Sequence, residues 1–158
     1  MTKEITINPE RPDSPDASRL VEELDAHLIP LYPIESHHGL PVDALLNDSI
    51  TFFVVRVDGE AVGCGGYMRY PEGYGELKRM YIRPTCRGLG LGMKLLTWIE
   101  EEALQDGYHI MRLETGHLQH EAIRMYQKAG YREIGPFGPY QPDPLSRFFE
   151  KNLLESAI

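Results

Sequence analysis

Between Tyr81 and Leu96 the chain reads YIRPTCRGLGLGMKLL, and Arg87, Gly88, Gly90 and Gly92 stand there at the spacing of an anion-binding turn. An apolar run from Leu77 to Ile82 precedes them, and a helical pattern follows. A glycine-rich turn that opens a helix presents backbone N–H groups with no intrahelical partner, at the positive end of the helix dipole. Such a turn suits phosphate or pyrophosphate. Arg87 adds a cation that stays charged at any working pH. The segment Arg87 to Met93, with Leu89 and Leu91 between the glycines, therefore reads as a wrapping for a phosphate-bearing ligand.

Three loops compete for that reading. A phosphate-cradling NTPase loop requires Gly-Lys-Ser/Thr at its end, but Gly92 is followed by Met93 and Lys94. The dinucleotide fingerprint G-x-G-x-x-G takes Gly88 and Gly90 and then needs glycine at Met93. Counted from Gly90 and Gly92, it needs glycine at Leu95. What remains is Arg-x-x-Gly-x-Gly, met by Arg87, Gly90 and Gly92. A simpler role is also open, in which the glycines only let a helix pack close to a sheet.

The segment resembles the acetyl-coenzyme A loop of the GNAT N-acetyltransferase superfamily, Gln/Arg-x-x-Gly-x-Gly/Ala. Glu76 to Ile82 (ELKRMYI) resembles the family's fourth strand, and Leu113 to Gly116 (LETG) the fifth. Glu121 to Tyr131 (EAIRMYQKAGY) resembles the helix that follows and its exit. The resemblance covers roughly residues 50 to 152, and the N-terminal third more weakly. It implies an acetyl-CoA-dependent N-acetyltransferase, and a slot between the fourth and fifth strands for the pantetheine arm. Met80 and Ile82, flanking Tyr81, would bond that arm through the backbone, as in strand addition. The N–H of a residue near Met80 would also hold the thioester oxygen. Many members carry Asn where this chain has Gln119, which offers similar hydrogen bonds from a longer stem.

Amide formation from a thioester requires that the amine lose a proton, that the oxyanion meet donors, and that the thiolate gain a proton. A lysine-like amine has a pKa near 10.4, so its free base costs roughly 4 to 5 kcal/mol at neutral pH. The resemblance implies Glu76 as the base and Tyr126 as the acid. A phenol of pKa ~10 can protonate a thiolate whose thiol has a pKa near ~8.5. Glu114 is a second candidate base, or else the partner of Arg112 or Arg79. Glu76 could instead be a solvated strand-end glutamate beside Lys78 and Arg79, and Tyr126 a core residue beside Met125 and Ala122. Tyr32, Glu35, His37, His38, Glu114, Phe137 and Tyr140 are the expected walls of the acceptor site. His37-His38 lacks metal-ligand spacing, and no metal is expected. Cys86 has no obvious base beside it, so direct transfer in a ternary complex is expected, to a primary amine of a small molecule. Two other roles remain open. One is transfer of a bulkier acyl group, with room at Gly63, Gly65 and Gly66. The other is a non-catalytic acyl-CoA-binding module.

Several elements must position these residues. Glu4 to Asn8 reads as a first strand, and Ser14-Pro15 as the start of a helix with an apolar stripe of Leu20, Val21, Leu24, Leu28 and Ile29. Val42 to Leu46 reads as a short helical turn. Ile50 to Val57 and Ala61 to Tyr70 form a hairpin about Asp58-Gly59. Gly63, Gly65 and Gly66 predict a bulge or a close backbone approach in its second strand. Gly75 to Ile82 is the next strand. The helix after the loop buries Leu91, Leu95, Trp98, Ile99 and Ala103 and turns Glu100, Glu101 and Gln105 to solvent. His109 to Thr115 is a strand, Glu121 to Ala129 a helix ended by Gly130, and Tyr131 to Ile134 and Leu145 to Lys151 the final strands. The loop PFGPYQPDP between them is of a kind that often carries recognition. This order predicts an α/β fold (mixed α+β), GNAT-like, with a mixed six- to seven-stranded twisted sheet flanked by helices on both faces.

The composition sets outer limits. With 158 residues, 42% hydrophobic and 25% charged, the chain reads as one domain over 1–158 with a substantial core. A net charge of −8 disfavours nucleic acid and anionic membrane as partners. Two cysteines make no disulfide framework, and no apolar run suggests a span or an export signal, so a cytoplasmic location is expected. A homodimer built on the final strands is compatible with the resemblance.

Overall fold

The computed structural model describes residues 3–33, 36 and 41–155. Strand β1 (Ile5–Pro9) leads to helix α1 (Pro15–Leu28). Ser14 caps that helix, its Oγ accepting the Ala17 N–H at 3.1 Å, and Pro15 takes the first helical position. Ala17, Leu20, Val21 and Leu24 form its buried stripe. Ile29, expected in that stripe, begins a 3-10 turn instead and is exposed. Helix α2 (Val42–Leu45) is one short turn.

Strands β2 (Ile50–Val57) and β3 (Glu60–Arg69) make the expected hairpin. Asp58 and Gly59 both have positive φ, +50° and +85°, as a right-twisted two-residue turn demands. Strand β4 (Tyr74–Ile82) follows, then a 3-10 turn, helix α3 (Leu91–Gln105), strand β5 (Ile110–Gly116), helix α4 (His120–Lys128), strand β6 (Arg132–Ile134) and strand β7 (Ser146–Asn152). These strands form one seven-stranded sheet in the order β1-β2-β3-β4-β5-β7-β6. Only the β4–β5 pairing is parallel. One face of the sheet packs on α1 through Phe52, Val54 and Cys64. The other packs on α3 and α4 through Phe53, Val55, Met111 and Leu113. No helix among the described residues is long and apolar enough to cross a membrane.

Two irregularities of β4 shape everything that follows. The β3–β4 register skips, so that Gly65 alone stands opposite Arg79 and Met80. In this pairing the extra residue lies on β4, and Arg79 takes φ +57° to accommodate it; β3 carries its own extra residue, Val62 beside Gly63, in its pairing with β2. The glycines of β3 serve close approach: a Cβ on Gly63 would stand 2.5 Å from the Ile82 side chain, and one on Gly65 2.6 Å from Met80 Sδ. Their space is filled by these side chains, so they do not make room for a bulkier acyl group. The second irregularity is the pairing with β5, which covers Tyr74–Ile110, Gly75–Met111 and Glu76–Arg112 and then stops. Beyond Glu76 the two strands part, and the β5-facing backbone of β4 has no strand partner among the described residues.

Helix α3 carries one further departure. Glu100, expected in solvent, is buried, accepting from Lys151 Nζ at 2.9 Å and Tyr131 Oη at 2.8 Å. A carboxylate can sit inside when a cation and a hydroxyl satisfy it.

Candidate active site

The parting strands open onto a cavity of about 310 Å³ bounded by α1, β4, β5 and α4. Glu76 lies at the point of divergence, and Tyr32, Met80, Glu114, Gln119, Tyr126 and Tyr140 line the same space. Residues as far apart in sequence as Tyr32 and Tyr140 thus meet around one cavity.

Glu76 is not a solvated strand-end residue; it is 1% exposed. Its Oε1 accepts from Tyr70 Oη at 2.6 Å. Its Oε2 accepts from Tyr140 Oη at 2.5 Å and lies 3.0 Å from Lys78 Nζ, which also donates to Tyr140 Oη at 2.9 Å. Burial, with the Glu76 charge added, pushes both tyrosines well above the ordinary phenol value, so they remain donors. An aromatic cluster holds this network: Tyr70 stacks on Tyr74 at 4.5 Å, and Phe137 packs edge-on against Tyr74, Tyr140 and Phe148. Phe137, expected as an acceptor wall, is therefore buried behind Tyr140 and does not line the cavity.

Glu114 pairs with neither Arg112 nor Arg79. Arg112 binds Glu150 at 2.9 Å, Arg79 binds Asp25 of α1, and Glu114 accepts from Ser146 Oγ at 2.7 Å. Tyr126 packs its ring edge-on against Tyr131 and also lines the cavity. Burial, and then the nearby Glu114 charge, push its hydroxyl well above the ordinary value. Tyr32 Oη accepts the Leu118 N–H at 3.0 Å and crowds Gly116. Gln119 precedes α4 and reaches the cavity without capping the helix through its side chain. Glu35, His37 and His38 lie outside the described residues.

The glycine loop sits at the open end of β4. Gly88 and Gly90 have φ +89° and +74°, and a Cβ on either would meet nothing within 4 Å. Conformation, not crowding, requires glycine there, and the space above is open to a ligand. The first helical bond of α3 is Lys94 N–H to the Gly90 carbonyl at 3.1 Å, which leaves the N–H groups of Leu91, Gly92 and Met93 unspent by the helix. Gly92 differs, because its Cβ would stand 3.0 Å from Met125 Sδ; it lets α3 approach α4. Arg87 is lightly held, with Nε 3.3 Å from the Ile82 carbonyl and Nη1 3.5 Å from Glu121. The backbone of Met80, Tyr81 and Ile82 runs from this loop to the cavity, while the Tyr81 side chain turns to α1 and bonds Glu23 at 3.1 Å.

The model of the acetyltransferase (GNAT) family matches residues 17–131, most of the chain and every element of this site except the Tyr140 loop. The chain belongs to the GNAT family. Like other GNAT proteins it is an acyltransferase by descent, and its likeness to named members is extensive. It is 47% identical over 150 residues to the IAA acetyltransferase of Azospirillum brasilense, covering 94% of this chain and 98% of that protein. A crystal structure from Klebsiella pneumoniae, provisionally assigned as an acyl-CoA N-acyltransferase, superposes with a TM-score of 0.81 at 42% identity, over 94% of this chain and 97% of that one. A GNAT acetyltransferase from Elizabethkingia anophelis, solved with acetyl-CoA bound, shares the fold at a TM-score of 0.65 and 17% identity, over 94% of this chain and 97% of that one.

Four residues of this GNAT site escaped the sequence reading as site residues: Asp25, Tyr70, Lys78 and Arg79. Lys78 was accessible in principle, because it stands two residues from Glu76 on the same strand face. Arg79 was not, since only the bulge turns it to that face.

Proposed function

We propose that the chain transfers the acetyl group of acetyl-CoA directly to the primary amine of a small molecule, within a ternary complex. The observation that carries this reading is the divergence of β4 from β5 at Glu76, which joins the glycine loop to a partly open cavity lined by charged, polar and apolar side chains. Arg87, the Gly88–Gly90 backbone and the free N–H groups of α3 suit the pyrophosphate. The unpaired edge of β4 from Leu77 to Ile82 suits the pantetheine amides.

In the reaction the amine nitrogen bonds to the thioester carbonyl carbon, the C–S bond breaks, and the amine proton leaves to a carboxylate. Tyr126 returns a proton to the thiolate; its raised pKa keeps it protonated beforehand. Both carboxylate oxygens of buried Glu76 are engaged, by Tyr70 and by Tyr140 and Lys78, so its surroundings suit it to holding these three residues in place. Glu114, on the opposite wall and near Tyr126, is the carboxylate we assign to the amine proton. Neither cysteine suits an acyl-carrying role. Cys64 is buried with its thiol pushed up to about 12, and Cys86 packs against the core with Thr85 Oγ1, at 3.8 Å, as the only hydrogen-bonding partner of its sulfur among the described residues.

Calorimetric titration with acetyl-CoA tests the ligand. The wild type should bind it and Arg87→Ala should weaken binding about 10- to 100-fold, as expected for loss of a charge-assisted phosphate bond. Thiol release with a panel of amines tests turnover. Binding without thiol release for any amine would turn the assignment towards an acyl-CoA-binding module.

A further inference from the structure

The bulge in β4 does more than break the register. Side chains alternate along a strand, so Lys78 and Arg79 should face opposite sides of the sheet. The extra residue removes that alternation: Arg79, Tyr81 and Arg83 reach Asp25 and Glu23 on α1, while Lys78 reaches Glu76 and Tyr140 on the same face. Two cations on consecutive residues thus line one cavity. Both are nine-tenths buried or more as side chains, at 9% and 4% exposure.

Neither cation is saturated by its partners. Arg79 uses Nη2 for Asp25 and the Val21 carbonyl, while its Nε is buried with no hydrogen-bond partner and its Nη1 makes no hydrogen bond among the described residues. Lys78 spends two of its three N–H groups, on Tyr140 and Glu76. A buried guanidinium N–H left without an acceptor costs stability, so its retention beside this cavity calls for an explanation. The αL backbone of Arg79, a conformation that disfavours an L side chain, deepens that cost.

We propose that Lys78 and Arg79 form an acid-binding subsite, and that the acceptor is an amine that also carries a carboxylate or a similar oxyanion. This deepens the acetyltransferase reading and rests on it for the word acceptor. The acid group takes the spare N–H groups of Lys78 and Arg79 on β4. The ammonium then lies towards Glu114 on β5, on the other wall. An acceptor held at both ends presents its nitrogen to the splay in one orientation.

The test is direct binding, which does not depend on turnover. Matched pairs with increasing separation of amine and acid are titrated into the CoA-saturated protein by calorimetry. They are leucine against isoamylamine, γ-aminobutyrate against butylamine, and 5-aminovalerate against pentylamine. In at least one pair the acid-bearing member should bind on the order of 10- to 100-fold more tightly, the range for hydrogen bonds to charged groups. Arg79→Gln and Lys78→Gln should each shrink that ratio to a few-fold, with circular dichroism verifying the fold. The wild-type comparison stands even if a variant fails to fold. Equal binding in every pair, preference for the bare amine, or a ratio untouched by both substitutions in folded protein overturns the proposal. Thiol release from acetyl-CoA with the same compounds reports separately on the transferase reading. Acid-selective binding without release would sink that reading and leave the subsite standing.

Discussion

Replacing Glu76 by Gln keeps the volume of the side chain and removes the charge that faces Lys78 at 3.0 Å. The Lys78 ammonium would then stand in a site only 9% exposed with no carboxylate against it. Breaking a buried pair from one side costs about 3–5 kcal/mol, because the surviving charge is stranded. For a domain of this size each kcal/mol shifts Tm by roughly 2–4 °C, so a fall of about 6–20 °C is expected. The amide also turns a donor towards one of Tyr70, Tyr140 or Lys78, all of which already donate. The double variant Glu76→Gln/Lys78→Met removes the stranded charge and should regain at least half of the loss, since apolar replacement of a whole buried pair is often close to neutral. Thermal melts of wild type, both single variants and the double variant complete the cycle. A Glu76→Gln melt within about 2 °C of wild type, combined with a kcat loss of about 10²-fold or more, would refute the reasoning. It would make Glu76 the proton acceptor instead of the anchor.

Other consequences are equally open to measurement. Tyr126→Phe should lower kcat by about 10²-fold or more while leaving the KM for acetyl-CoA nearly unchanged, and a rise in KM alone would assign the ring to packing. In Gly116→Ala the new Cβ would stand 2.1 Å from Tyr32 Oη, so Tyr32 must swing and release the Leu118 N–H. A stability loss of about 1–3 kcal/mol and a higher acceptor KM should follow; unchanged melting and kinetics would contradict that wall. Glu23 and Glu133 are lowered chiefly by hydrogen bonds from Arg83 and Arg147, and Asp106 by its bond from Arg69. The unfolded chain then binds more protons near their ordinary values of 4.5 and 3.8, so this stabilisation is complete above those values and is lost as pH falls through the folded ones. Melting points should stay level from about pH 7 to 5 and then fall, less steeply in Glu23→Gln; an unaltered slope in that variant would show the Arg83 pair to be inert.

Much of the architecture is written in local signals. The Ser14-Pro15 cap, the Asp58-Gly59 turn and the Arg87-to-Gly92 loop each depend on the conformational preferences of a few adjacent residues, and each appears where those preferences put it. The apolar run of β2 follows from a sheet covered on both faces, and the stripes of α1 and α3 from burial of one face of each helix. Family membership rests on several such segments in order, which is why it was legible without coordinates.

What tertiary structure decided is where side chains from separate segments meet. Glu100 looked like a solvent-facing residue because helical periodicity says nothing of Lys151 and Tyr131, which arrive from β7 and from beyond α4. Phe137 and Tyr140 looked alike in one loop, yet packing against Tyr74 and Phe148 buries the first and aims the second at Glu76. Strand period is a rule about uninterrupted pairing; the bulge at Arg79 and the parting of β4 from β5 both suspend it, and they arise from the sheet as a whole. The sequence by itself thus determined the elements, the glycine loop and the family. The depth of Glu76 and the shared face of Lys78 and Arg79 came only with the fold, because they depend on contacts between distant segments that no local preference encodes.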